Sequence, residues 1–155
     1  MFGVLLVASV LFGVPWIAAA LALFTIMIWH ELGHAMIASR LGYPILGITL
    51  FPVLGQCHYQ QPYSAFEDAV IAWGGVIAQL IVLVPAVLIL VFFGNTSSGI
   101  VNAFLIVFTY FNAIMVLVNL VPSRGLDGAK AWRLAPMVLK ANWKVRQLRR
   151  QRGRW

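Results

Sequence analysis

Three stretches of this chain, Trp16 to Ser39, Glu67 to Phe93 and Gly99 to Leu120, are apolar over the length of a membrane-spanning helix, roughly twenty residues each. A water-soluble fold of 155 residues that is 62% hydrophobic and 10% charged has too little interior to hide its apolar surface. Soluble domains are nearer half apolar and about a quarter charged. A bilayer removes that constraint. The chain therefore reads as one all-α polytopic membrane protein, with about three core spans and a further apolar segment, Phe2 to Val14, before Pro15. Proline at that position breaks or kinks a helix, so Phe2 to Val14 is either a short tilted helix or the front of a longer kinked one.

Between the first two spans the character changes. Gly42, Pro44, Gly47, Pro52, Gly55 and Pro62 punctuate residues 41–65, and Ile45 to Val53 is rich in β-formers. This pattern predicts a re-entrant or hairpin-like loop. Such backbone at membrane depth must pair with protein or line a wet cavity. Gly94 to Gly99 is a polar turn. Pro122, Gly125 and Gly128 end or unwind the third span, and Ala129 to Leu139 can form a short amphipathic helix.

The net charge of +7 belongs to the tail. Lys140, Lys144, Arg146, Arg149, Arg150, Arg152 and Arg154 all lie in residues 140–155, while the preceding 139 residues carry four basic and four acidic groups. The chain thus divides into a membrane-embedded core, 1–139, and a basic tail, 140–155. Beside membrane spans, such a tail is first a topology signal that stays cytoplasmic and meets anionic lipid headgroups. No nucleic-acid partner is expected. Arg40, after the first span, favours the same side. The expectation is a multi-pass protein of the cell membrane, with its C-terminus and polar site toward the cytoplasm. The single cysteine, Cys57, excludes an internal disulfide. The N-terminus does not read as a cleaved signal peptide, because it lacks a basic start and its apolar run continues past any cleavage site.

The chemistry is concentrated in His30-Glu31-Leu32-Gly33-His34, which fits H-E-x-x-H. On a helix, residues four apart share a face with Cβ atoms about 5–6 Å apart. Two imidazoles so placed can hold one zinc. Zinc lowers the pKa of water to about 7, and Glu31 is placed to accept a proton from that water. A chance match is the bland alternative. Yet three ionisable groups inside an apolar span are costly, and such groups mark function.

Catalytic zinc usually takes three protein ligands and keeps one open position. Glu67 and Asp68 sit where helix-start acids sit, favoured by the helix dipole. Asp127 sits in a stretch unwound by proline and glycine. Alone it would be an ordinary Asp-Gly turn; beside H-E-x-x-H at matching depth it is the candidate third ligand. Asn112 and Asn119 lie two turns apart on the third span. Asn112 reads as interhelical glue, and Asn119 as a group able to hold a substrate backbone or a developing oxyanion. Cys57 and His58 have no spacing that demands a metal role. The loop's β-forming segment can either plug the cavity or pair with an unwound substrate as an added strand.

H-E-L-G-H near the end of one span, followed after a later span by Asn119-Leu120-Val121-Pro122-Ser123-Arg124-Gly125-Leu126-Asp127-Gly128, resembles the site-2 protease family of intramembrane zinc metallopeptidases. The resemblance covers roughly Trp16 to Leu139. It implies one zinc per chain on His30, His34 and Asp127, with Glu31 as the water-activating base. It also implies substrates that are single-span membrane proteins or remnant signal peptides in the bilayer. The family's G-P-x-x-N element corresponds here to Gly75-Val76-Ile77-Ala78-Gln79, where valine replaces proline and glutamine replaces asparagine. Gln79 is accordingly expected beside Asn119 among the substrate-binding groups. Two other readings compete. A different membrane-bound H-E-x-x-H peptidase, acting on soluble or periplasmic chains, would use a later glutamate as third ligand as many zincins do, and no glutamate follows Glu67. A catalytically inactive scaffold or transporter-like homologue would retain the motif without the reaction.

Overall fold

The computed structural model describes residues 13–51 and 55–152. The expectation for Phe2 to Val14 lies almost wholly outside them. Helix α1 (Val14–Arg40) starts with Pro15 in its first turn, where a missing N–H costs nothing. Strands β1 (Ile45–Leu50) and β2 (Gly55–Tyr59) pair antiparallel, with an irregularity between Ile45 and Gly47. Helix α2 (Ala65–Phe93) follows. Helix α3 (Gly99–Asn119) contains a π-helical turn over Val107–Phe111. Two further helices follow, α4 (Gly128–Ala131) and α5 (Leu134–Arg152).

Helices α1, α2 and α3 contain 27, 29 and 21 residues. At about 1.5 Å per residue each reaches or exceeds the ~30 Å hydrocarbon layer. Large apolar side chains cover their outer faces, among them Ile81, Val84, Val91, Phe92 and Leu117. An outward apolar face suits lipid and not water. The protein is an all-α membrane protein in which strands β1 and β2 form the hairpin that the composition predicts between the first two spans.

Local chemistry sets the helix ends. Ser64 caps α2: its Oγ accepts the Glu67 N–H at 3.2 Å and donates to Glu67 Oε2 at 2.8 Å. Tyr43 also donates to Glu67 Oε2, at 3.0 Å. Asp68 receives Lys130 Nζ at 3.0 Å. Glu67 thus serves the start of α2, whereas Asp68 ties that start to Lys130. Ser98 caps α3 in the same manner.

Packing sets the registers. Gly33 and Gly74 let α1 and α2 touch backbone to backbone: a β-carbon on either would overlap the carbonyl oxygen of the other. Small residues permit such approach between membrane helices. The indole of Trp29 donates to Ala78 O at 2.7 Å, so α1 and α2 run in opposite directions, with residue 30 near 75–78. Helix α3 runs with α1. Gly99 lies beside Pro15, and Val107 packs with Ala22, Leu23 and Ile26. The C-terminal half of α1, the N-terminal half of α2 and the loop after α3 therefore meet at one end of the bundle. The turn at 94–98 lies at the other.

One expectation is corrected. The amphipathic helix expected over Ala129 to Leu139 is broken at Trp132–Arg133 and then runs on as α5 to Arg152. The helix continues across 139/140 because lysine and arginine are good helix formers and no proline or glycine interrupts 137–152.

Candidate metal centre

His30 and His34 occupy one face of α1, and both are buried. Their Nε2 atoms lie 3.0 Å apart. Asp127 Oδ2 completes a triangle, 2.9 Å from His30 Nε2 and 3.1 Å from His34 Nε2. Among the described residues, these three side chains form a group that could hold a metal ion.

Each side chain is aimed by its surroundings. His34 Nδ1 donates to the Ile71 carbonyl of α2 at 2.9 Å, which leaves the Nε2 lone pair facing the triangle. Gly75 provides the room: a β-carbon there would stand 2.5 Å from both His30 Cε1 and His34 Nε2. Asp127 occupies the N-cap position of α4 but makes no side-chain cap; its carboxylate is turned to the histidines. The turn at Gly125, with φ of +90°, brings the chain back to reach them. Two indoles anchor this segment. Trp73 donates to Ala131 O at 3.0 Å and Trp132 to Leu120 O at 2.7 Å.

The triangle suits a cation. Zinc bonds to nitrogen and oxygen are about 2.0–2.2 Å long, so tetrahedral ligands stand about 3.3 Å apart. The three observed separations fall a few tenths short, a gap that small side-chain rotations can make up. Burial alone would raise the Asp127 pKa. The contacts with His30 and His34 outweigh it and hold the carboxyl below its ordinary range, so Asp127 is available as an anion. Two imidazoles and a carboxylate are a zinc-type donor set.

No protein-family model matches the chain. It is similar to a zinc metalloprotease. The relative is described as "Putative zinc metalloprotease sll0528" of Synechocystis sp., 31% identical over 130 residues that take in 75% of this chain. The chain spans 31% of that relative's length.

Glu31 follows the first histidine and is buried, like both of them. The hairpin lies over it. The Cys57 backbone N–H faces the Glu31 carboxylate, and a β-carbon on Gly55 would overlap Oε1. Strand β2 is tied to the segment carrying Asp127: Tyr59 donates to Asp68 at 3.4 Å, and Asp68 receives Lys130, three residues after Asp127.

The remaining sequence candidates fall elsewhere. His58 Nε2 pairs with Thr49 Oγ1 at 3.0 Å on the hairpin, away from the triangle. Asn112 is fully buried and donates to Gln79 O at 3.1 Å, a bond between α3 and α2. Asn119 is half-buried at the end of α3. Gln79 is fully enclosed. Sequence reasoning missed Gly55, Gly75, the Cys57 N–H and the Ile71 carbonyl. For Gly75 the available signal was a glycine inside a predicted span, since small residues there permit close approach.

Proposed function

We propose that this chain is an intramembrane zinc metalloendopeptidase of the site-2 protease type. The observation that carries the reading is the triangle of His30 Nε2, His34 Nε2 and Asp127 Oδ2, with sides of 2.9–3.1 Å, beside a buried glutamate in an apolar span. Zinc held there would supply a Lewis acid and lower the pKa of water to about 7. Glu31 takes the proton from the attacking water as the carbon–oxygen bond forms. It returns that proton to the amide nitrogen, the carbon–nitrogen bond breaks and the amine leaves. The Cys57 N–H and the close backbone at Gly55 hold the carboxylate still between these transfers.

A helical substrate hides its amide bonds, so a protease in the membrane must hold its substrate extended. The β1–β2 hairpin stands over the site and is suited to pair with an unwound segment. Asn119 offers a hydrogen bond to the substrate backbone or to the developing oxyanion. The substrates are single-span membrane proteins or remnant signal peptides. The cell membrane is the proposed location, with the site and C-terminus toward the cytoplasm.

Metal content tests the site directly. The purified protein is expected to hold about one zinc per chain. His30→Ala, His34→Ala and Asp127→Ala should each reduce occupancy sharply. Full zinc in the Asp127→Ala protein would reject the third ligand.

A further inference from the structure

Among the described residues, four buried side-chain atoms have no protein hydrogen-bond partner: His30 Nδ1, Gln79 Nε2 and Oε1, and Asn112 Oδ1. Buried polar atoms are rarely left so, and each such case calls for an explanation. These four belong to three side chains on three different helices, and the helix registers place those side chains at one level. Residue 30 lies beside Gly75 and near Ala78 of α2, one turn or less from Gln79. Asn112 Nδ2 donates to the Gln79 backbone carbonyl at 3.1 Å. Helices α1 and α3 run alongside, with Pro15 against Gly99 and Ile26 with Val107, which brings residue 30 level with 111–112. The π-helical turn Val107–Phe111 ends immediately before Asn112. Such turns recur at functional sites.

The two histidines of the triangle differ in one respect. His34 has its Nδ1 fixed by a backbone carbonyl, whereas His30 Nδ1 has no protein partner. A metal-ligating histidine nearly always donates its second ring N–H to an outer partner, and that bond sets tautomer and ring orientation. With His30 Nδ1 protonated, the four atoms are two donors and two acceptors. That is the complement of a water molecule, and buried waters make about three hydrogen bonds to groups of this kind.

We propose that Gln79 is a positioning residue for His30. Its amide, with Asn112 Oδ1, holds a buried water that accepts the His30 Nδ1–H and keeps the Nε2 lone pair on the metal. Gln79 then serves the metal centre from behind and does not touch substrate. This inference rests on the proposed zinc site.

The test uses the full chain in detergent micelles and measures the zinc dissociation constant by chelator competition. It compares wild type, Gln79→Met and Gln79→Asn. Methionine keeps the length and removes the polar atoms. Gln79→Met should weaken zinc binding by about 10–100-fold, the usual effect of losing an outer-shell partner. Its metal-free melting temperature should stay close to wild type, because the buried water keeps His30 Nδ1 and Asn112 Oδ1 as partners and the methionine fills the space of the glutamine. Gln79→Asn should recover most of the affinity. Wild-type affinity in Gln79→Met overturns the proposal, as does a loss matched by a lower metal-free melting temperature. If Gln79→Met does not fold, ¹⁵N imidazole spectra of the zinc-loaded wild type decide. A signal for Nε2-bound, Nδ1-protonated His30 supports the proposal, and Nδ1 ligation overturns it. A wild type that binds no zinc rejects the zinc site itself, an outcome distinct from equal binding by the variant.

Discussion

Gly55 stands so close to Glu31 that a β-carbon would lie 2.6 Å from Cγ and 2.7 Å from Cδ of the glutamate. The hairpin backbone and the proposed base are therefore in direct contact, and no side chain other than hydrogen fits between them. Gly55→Ala must push either the strand or the carboxylate aside. Displacing a catalytic group by about 1 Å can cost roughly 10²-fold in rate, and a loss of that order in peptide cleavage is expected. Zinc content should be unchanged, because Glu31 is outside the triangle. Wild-type turnover by Gly55→Ala would show that the contact does not position the base.

Cys57 reports on the same contact from the other side. Burial pushes its thiol up to about 11, with the Glu31 charge adding to the shift. The thiolate is the reactive form. A raised pKa keeps it scarce, at roughly one molecule in a thousand at pH 8. Iodoacetamide alkylation of the metal-free protein should therefore be slow at pH 8 and rise about tenfold per pH unit up to pH 10. In Glu31→Gln the charge is gone, so the pKa falls and alkylation at a given pH quickens. A rate that levels off near pH 8.5 would contradict the buried environment.

Orientation is testable by reporter fusion. Arg40, the start of α2 and the Asp127 loop share one end of the bundle, and the seven basic residues follow on in the chain. With positive charge retained in the cytoplasm, a reporter after Trp155 should behave as cytoplasmic and one placed in 94–98 as external. The reverse pattern would reject the orientation and leave the chemistry standing.

The parts legible in the sequence are those with a local signature. Hydropathy gave the three spans to within about two residues, the usual uncertainty of helix ends. The i, i+4 spacing predicted one face for His30 and His34. Pro122 and Gly125 predicted an unwound approach to Asp127. The rest is tertiary and leaves no local mark. Nothing in Gly55 or Cys57 by itself says that β2 lies on Glu31. That Gln79 is fully buried, with its backbone carbonyl taken by Asn112 of α3, is likewise written in no local pattern. The tail's charge carried no sign that α5 runs on through it to Arg152.

In the proposed mechanism Glu31 acts as a base and not as a ligand. The decisive measurement is cleavage of a single-span substrate, its helix interrupted near mid-membrane, by wild type and Glu31→Gln in lipid vesicles, with zinc quantified in the same preparations. The variant nearly preserves shape and hydrogen bonding while removing the proton acceptor. The prediction is full zinc content in both proteins and cleavage by the variant reduced by the roughly 10²–10⁴-fold typical of general-base loss. Equal turnover by the two proteins, at equal zinc, would contradict the mechanism.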